Sequence, residues 1–222
     1  MQKYVIKTET PMYSSTEKHS AIINECLYGE NISIIQKDIK YNLIRSSQNN
    51  YEGWVRNDDT GILPKPTDKV VNLRTIILER PDVKSSVIKY LHFNSEIKAI
   101  NYDDFWYKVI GLNDKIIGFS PKKHFAKINE FNDDWVANAT KFIGAPYKWG
   151  GRTSFGLDCS ALVELSLQAN GIYCPRDTID QVKFFKKEIE LVSDLCRGDL
   201  VFWKGHVAIM LNCNELIHAN AF

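Results

Sequence analysis

The cysteine at position 159 has the surroundings that point most directly to covalent chemistry in this 222-residue chain. It follows the glycine-rich segment GGRTSFGL and Asp158, and it precedes SALVELSLQANG, whose apolar residues recur at helical spacing up to Gly171. Cys159 therefore stands where a loop becomes a helix. A helix N-terminus carries partial positive charge and unsatisfied N–H groups, which favour a thiolate and can receive an oxyanion. The position predicts a nucleophile.

Two histidines in the same C-terminal part of the chain are candidates for the base that such a nucleophile needs. His206 opens the predicted strand HVAIML, and His218 ends the predicted strand ELIH, 218 − 206 = 12 residues later. This separation suits neighbouring antiparallel strands joined by the turn NCNE. On adjacent strands the two rings can hydrogen-bond, so that one acts as the base and the other orients it. Zinc held by Cys159, His206, His218 and Cys213 is the alternative, although paired ligand spacing is missing.

Three helices followed by three strands are predicted to position these residues. The first helix lies in DWVANATKFIGAPY, capped by Asp133 or Asp134. The second follows Cys159, and the third lies in TIDQVKFFKKE. The strands are predicted in GDLVFWKG, HVAIMLN and ELIHANAF. Helices followed by a sheet predict an α+β domain over residues 132–222, after a linker near KINEFNDD.

The N-terminal half contains two similar β-rich segments, which begin CLYGENISIIQ and YLHFNSEIKAI. Short alternating runs divided by Asn, Asp and Gly predict small antiparallel units over residues 1–66 and 67–128. The offsets are 64, 65 and 65 residues, from the pairs Leu27 and Leu91, Ile35 and Ile100, and Gly53 and Gly118.

The composition limits the possible binding partners of the protein and its expected cellular compartment. The net charge of +1 gives no general attraction to nucleic acid or to an anionic membrane. No apolar run is long enough to span a bilayer, and MQKYVIKTET has no signal-peptide core. The five cysteines form no CxxC pair, which favours reduced thiols and no metal or other cofactor. A cytoplasmic protein is expected; a leader removed before this numbering would instead place it in the periplasm.

Four ordered segments resemble the NlpC/p60 cysteine peptidases of bacterial cell walls: GAPYKWGGRTSFGLDCSALV, PRDTIDQ, RGDLVFWKGHVAIML and LIHA. The resemblance implies a papain-like catalytic domain with Cys159 as nucleophile, His206 as base and His218 as the third member. It assigns the Tyr147 hydroxyl and the Cys159 backbone N–H to an oxyanion hole. Ala161 stands where the family usually has glycine, and a methyl group on the first helical turn is easily tolerated. The preceding β-repeats are similar to bacterial SH3-like domains, which are five-stranded barrels.

Two SH3-like β-barrels before the catalytic domain narrow the resemblance to a subfamily. Its members cleave the γ-D-glutamyl–diamino acid bond of murein peptides that have a free N-terminal L-alanine. The resemblance implies that Asp158 and Ser160 bind this amine and its neighbours, and that Tyr51 and Glu30 of the first barrel line the same pocket. Trp149 is assigned to substrate binding, with turn packing as its alternative role. A murein peptide is thus the expected partner, and cell-wall peptide recycling the expected process.

Two other functions stay open from the sequence. The first is a peptidoglycan- or peptide-binding module with a weak or lost catalytic domain, which the presence of Cys159, His206 and His218 opposes. The second is a papain-like acyltransferase, which differs from a peptidase in the access of water to the site. Arg176 and Asp177 are expected to form a structural ion pair near the third helix.

Overall fold

The computed structural model describes residues 2–221 and divides into two compact units, Met1–Glu130 and Phe131–Phe222. The predicted domains 1–66, 67–128 and 132–222 stay predictions, and their outer ends at residues 1 and 222 lie outside the described residues. Among the helices of residues 2–221, none has the length and apolar character required to cross a membrane.

The first unit is built from strands and short 3-10 turns. Its strands are β1 (Lys3–Val5), β2 (Glu9–Tyr13), β3 (Ile22–Leu27), β4 (Asn31–Lys37), β5 (Tyr41–Ser46), β6 (Glu52–Arg56), β7 (Thr60–Gly61), β8 (Asp68–Val70), β9 (Arg74–Leu78), β10 (Val87–His92), β11 (Glu96–Asn101), β12 (Trp106–Ile110), β13 (Ile116–Pro121) and β14 (Phe125–Lys127). The 3-10 helices are Asn57–Asp59, Leu112–Asp114 and Lys122–His124.

The strand order of this unit contains the predicted repeat. One sheet has the strand order β3-β2-β6-β5-β4-β1-β7, and the other has the order β10-β9-β13-β12-β11-β8-β14. Each position in the second sheet is therefore occupied by the strand whose number is seven higher than that of its counterpart in the first. Each sheet has seven strands where the resemblance implied five, because short first and last strands also pair, β1 with β7 and β8 with β14. The SH3-like assignment itself stays a prediction.

The residue register fixes the offset of the repeat at 65 and corrects one predicted correspondence. Ile44 pairs with Gly53 in the first sheet, and Val109 pairs with Gly118 in the second, so these pairs match at 65 residues. In the same register Leu27, which pairs with Glu9, corresponds to His92, which pairs with Arg74. The predicted match of Leu27 with Leu91 is wrong by one residue, because it rests on identity of residue type and not on strand register.

The two repeats share an apolar core. One cluster contains Tyr4, Tyr28 and Leu63 from the first repeat and Val70, Ile77, Leu91, Ile97 and Val109 from the second. The backbones of the two repeats also approach each other closely. The Glu96 N–H donates to the carbonyl of Tyr28, at 2.9 Å, and a Cβ at Gly29, where φ is +83°, would collide with the Glu96 carbonyl.

The second unit has helices followed by a sheet, in the predicted α+β order. Its elements are α1 (Val136–Thr140), β15 (Arg152–Thr153), β16 (Gly156–Leu157), α2 (Cys159–Gln168), α3 (Thr178–Phe184), the 3-10 helix Val192–Asp194, β17 (Leu200–Trp203), β18 (His206–Met210) and β19 (Leu216–Ile217). The carboxylate of Asp134 accepts from the N–H groups of Val136 and Ala137, which confirms the predicted cap of α1. Helix α2 is buried from Cys159 to Leu167 and packs against α1 and β18.

Candidate active site

Cys159 is the first residue of α2, as the sequence predicted. Asp158 precedes it in extended conformation and caps the helix, because its Oδ1 accepts from the Ala161 N–H at 2.8 Å. The Cys159 side chain is 5% exposed, and its Sγ lies 3.8 Å from Oγ1 of Thr178, the first residue of α3. The thiol is therefore held at the N-terminus of α2, beside the first residue of α3.

The carboxylate of Asp158 is an anchor for the segment around Cys159. Its Oδ1 also accepts from the Ser160 hydroxyl, at 3.1 Å, and from Arg176 Nη1, at 2.9 Å. Its Oδ2 accepts from the Gly150 N–H, at 2.9 Å, and from Arg176 Nη2, at 2.7 Å. Arg176 Nη1 also donates to the Ser160 hydroxyl, at 2.9 Å. The guanidinium thus compensates the charge of Asp158 and links the two residues that flank Cys159.

A second buried ion pair extends this network along α2. Nε of Arg152 donates to Oε2 of Glu164 at 2.9 Å, and both side chains are fully buried. The amide of Gln168 donates to Oε1 of Glu164, and Nε of Arg176 lies 4.0 Å from Oε2. The sequence predicts an ion pair of Arg176 with Asp177, and its patterns do not reveal the partners Arg152 and Glu164. An available signal was the acid at position 164 inside an otherwise apolar helix.

Tyr147 is brought toward the nucleophile by a backbone bridge. It forms an isolated parallel bridge with Leu157, and the Lys148 N–H donates to the Leu157 carbonyl at 3.1 Å, two residues before Cys159. Burial raises the pKa of the Tyr147 phenol, and the negative charges of Cys159 and Asp158 raise it further. The phenol therefore keeps its proton at neutral pH and can donate a hydrogen bond beside the thiol, as an oxyanion hole requires.

Gly150 and Gly151 lie directly before β15 and form the turn between Tyr147 and the β15–β16 hairpin. Gly150 has φ +73°, and a Cβ at Gly151 would collide with the carbonyl oxygen of Gly156, across the β15–β16 hairpin. This hairpin lies in the glycine-rich segment for which the sequence predicts a loop. Trp149 is 71% exposed, so its predicted contact with substrate is sterically open and stays a prediction.

His206 and His218 meet across the three-stranded sheet β17–β18–β19. Nε2 of His206 lies 2.9 Å from Nδ1 of His218, and His218 directly follows β19 instead of ending it. For Nδ1 of His206 to accept a proton, its Nε2 must carry the hydrogen that His218 accepts. Burial lowers the pKa of His206, and the neighbouring charge of His218 lowers it further, so the neutral imidazole is favoured. Their hydrogen bond is the arrangement expected of a base and its orienting residue.

Glu30 and Tyr51, the two substrate-binding residues predicted outside the catalytic domain, lie in the first unit. Glu30 is fully buried directly before β4, and Tyr51 is half-buried against the apolar cluster around Met12 and Ile44. Burial and then the charge of Glu30 raise the pKa of Glu96 to about 7. The contribution of Glu30 and Tyr51 to a substrate pocket stays a prediction.

No group of three or more His, Cys, Asp or Glu side chains within residues 2–221 is arranged to hold a metal ion. Cys213, the fourth ligand in the zinc alternative, is exposed in the turn between β18 and β19.

Comparison with known proteins gives a family match within the second unit and relatives along the whole chain. Residues 144–221 match the model of the NlpC/P60 family, so the prediction of an NlpC/P60 domain is confirmed for this part of the chain. Dipeptidyl-peptidase 6 of Lysinibacillus sphaericus is 27% identical over 99% of this chain and 88% of that protein. The Gamma-D-glutamyl-L-lysine dipeptidyl-peptidase of Bacillus subtilis (strain 168) is 24% identical over 90% of this chain and 73% of that protein.

A solved structure of an NlpC/P60 family protein from Bacillus cereus ATCC 10987 has the same fold. It superposes with a TM-score of 0.83 at 17% identity and covers 98% of this chain and 90% of that chain. The likeness therefore includes the β-rich first unit as well as the NlpC/P60 domain.

Proposed function

We propose that this protein is a cysteine peptidase that hydrolyses the γ-D-glutamyl–diamino acid bond of murein peptides with a free N-terminal L-alanine. The observation that carries the proposal is a cysteine at the start of α2, in the same unit as the hydrogen-bonded pair of His206 and His218. The names of the two relatives that align over 99% and 90% of the chain support peptidase activity, and the name of the second specifies a γ-D-glutamyl-L-lysine substrate. Murein peptide recycling in the cytoplasm is the process we assign to it.

In the proposed mechanism, Nδ1 of His206 takes the proton of the Cys159 thiol while Nε2 donates to His218. The sulfur attacks the γ-carbonyl carbon, and the oxyanion receives hydrogen bonds from the Tyr147 hydroxyl and the Cys159 backbone N–H. The C–N bond then breaks, the amine of the diamino acid leaves with the proton from His206, and a thioester remains. Water, deprotonated by His206, hydrolyses this thioester and regenerates the thiol.

The proposed architecture is a papain-like catalytic domain over residues 132–222 that follows two SH3-like domains, 1–66 and 67–128. We assign the substrate ammonium group to Asp158 and Ser160, with Trp149 as a further substrate contact. Because Arg176 already compensates the charge of Asp158, the Ser160 hydroxyl is the more adaptable acceptor of the two. Replacement of Tyr51 and Glu30 in turn tests whether the first unit takes part in substrate selection.

The direct test is incubation of the purified protein with L-Ala-γ-D-Glu-meso-diaminopimelate and with its L-lysine counterpart, followed by mass spectrometry. We expect the dipeptide L-Ala-γ-D-Glu and the free diamino acid. Cys159→Ala should abolish turnover, whereas Cys196→Ala, which changes an exposed cysteine of the same unit, should leave it unchanged. Failure of the wild-type protein to cleave either peptide, or equal activity of the Cys159→Ala variant, would refute the proposal.

A separate arm tests the requirement for a free amine. An ammonium group gains charge-assisted hydrogen bonds of roughly 1.5–3 kcal/mol each, and N-acetylation removes the charge. The acetylated peptide should therefore be cleaved about a hundredfold more slowly in kcat/KM. Equal values for the free and acetylated peptides would exclude recognition of the amine and leave a peptidase of different specificity.

A further inference from the structure

We propose that Trp203 is a positioning residue, which holds the imidazole of His206 in its reactive orientation and keeps water from the His206–His218 hydrogen bond. The inference rests on the proposed function, in which His206 is the base. The three rings lie against each other. The ring centroids of Trp203 and His206 are 4.7 Å apart at an interplanar angle of 33°, and those of Trp203 and His218 are 5.8 Å apart at 67°.

The backbone places the indole there. Trp203 ends β17 and His206 begins β18, and the two are direct cross-strand partners. The connection is the two-residue turn Lys204–Gly205, in which Gly205 has φ +73°. Side chains of directly opposed residues stand on the same face of the sheet about 4.5–5.5 Å apart at Cβ, so this register forces the two rings together. The stacking follows from the hairpin and does not depend on a flexible loop.

The stacked indole restricts His206 in two ways. It covers one face of the imidazole, so rotation of that ring about χ2 has to displace the indole. Its ring face also offers no strong hydrogen-bond partner, so it excludes water from the Nε2···Nδ1 bond without competing for it, and it attracts the imidazolium form during proton transfer. Trp203 is itself 45% exposed, so its outer face is in contact with solvent. Its loss should therefore affect the histidine pair more than the stability of the fold.

The chain offers a matched control for this test. Phe184 is 48% exposed, and its ring also contacts two others, those of Tyr173 and Phe185. Phe184→Ala therefore removes a comparable surface aromatic from the same unit, one whose ring contacts do not include the two histidines. Trp203→Phe retains a ring on the face of His206, while Trp203→Ala removes it.

We expect Trp203→Ala to lower kcat by about tenfold, the size of effect that an aromatic ring pair can supply, with KM unchanged. Trp203→Phe should recover most of this loss, and Phe184→Ala should retain the wild-type kcat. Nuclear magnetic resonance of the full chain, selectively labelled at histidine, gives a readout independent of turnover. Trp203→Ala should shift the ring protons of His206 to lower field, because the ring current of the indole is lost. The Nε2 proton shared with His218 should exchange faster with water.

The positioning role is overturned if Trp203→Ala keeps the wild-type kcat, if its loss appears in KM alone, or if Phe184→Ala loses as much. An unchanged exchange rate of the shared proton would also overturn it. If the wild-type protein cleaves neither murein peptide, the proposed function fails. The exchange measurement then still decides whether Trp203 shields the histidine pair.

Discussion

Replacement of Arg176 by methionine should destabilise the segment around the nucleophile more than any exposed ion pair of the same unit. The Arg176 side chain is buried, and its guanidinium donates twice to Asp158 and once to Ser160, at 2.7–2.9 Å. Methionine has a similar length but no donor. The variant keeps the apolar packing of the side chain and leaves the Asp158 carboxylate with only its backbone and Ser160 donors.

The expected magnitude follows from burial. Removal of one partner from a buried ion pair costs about 3–5 kcal/mol, because the remaining charge stays desolvated. The pair between Arg197 and Asp134 is the matched control, since both side chains are nearly half exposed, at 43% and 47%. Such exposed pairs contribute about 0–1 kcal/mol, so Arg197→Met should have little effect.

Hydrogen exchange followed by mass spectrometry resolves this difference within the full chain. Amides of α2 should exchange about a hundredfold or more faster in Arg176→Met, since each 1.4 kcal/mol is a factor of ten, while peptides of the first unit stay unchanged. A double replacement with Asp158→Asn should lose about 1–3 kcal/mol less than the sum of the single losses. Equal protection of α2 in Arg176→Met and Arg197→Met would show that the buried network does not anchor the nucleophile.

Three further outcomes are expected from single replacements. His218→Asn should raise the pKa of His206, measured by histidine resonances, because the electrostatic interaction with His218 that lowers it is removed. An unchanged or lower value contradicts this coupling. Glu96→Gln should unfold at a higher denaturant concentration than the wild type at pH 8, and this difference should disappear below pH 4.5. Burial raises the pKa of Glu96 to about 7, so the wild-type fold loses stability as the pH rises from 4.5 through 7, whereas glutamine does not ionise. A constant advantage at both pH values would exclude that ionisation as the cause. Gly151→Ala should destabilise the β15–β16 hairpin by about 1–3 kcal/mol through collision with the Gly156 carbonyl, and wild-type hydrogen exchange there would disprove the close approach.

Much of the second unit could be predicted from local patterns. The apolar periodicity of SALVELSLQANG and the polar residues before it predict the start of α2, so the place of Cys159 in the fold is a local property. The strand that begins at His206 is predicted by a run of apolar residues after a glycine turn. The spacing of 12 residues between His206 and His218 is enough to predict that the two rings meet, and their nitrogens lie 2.9 Å apart.

The sequence predicts that the first unit contains a repeated β-unit, but it does not give the residue-by-residue correspondence between the two copies. Similar segments at a period near 65 residues indicate two related β-units. Identity between Leu27 and Leu91 nevertheless gave the wrong correspondence, because strand register is set by pairing and by the turn that follows. Gly29 and Asn94, 65 residues apart, both have positive φ at that turn. Their residue types differ, so the shared backbone conformation is not visible in the letters.

By itself, the sequence determined the place of Cys159 at a helix start, the meeting of His206 with His218 and the order of helices and strands, because each follows from residue type and short-range periodicity. Only the tertiary structure decided which charges neutralise each other. Arg176 lies 18 residues after Asp158 and Arg152 lies 12 residues before Glu164, and the packing of α2 against its neighbours buries all four. It likewise placed the Trp203 indole on His206 through strand register. Ion pairing and ring stacking depend on distances between side chains from different elements, and no local pattern in the chain specifies those distances.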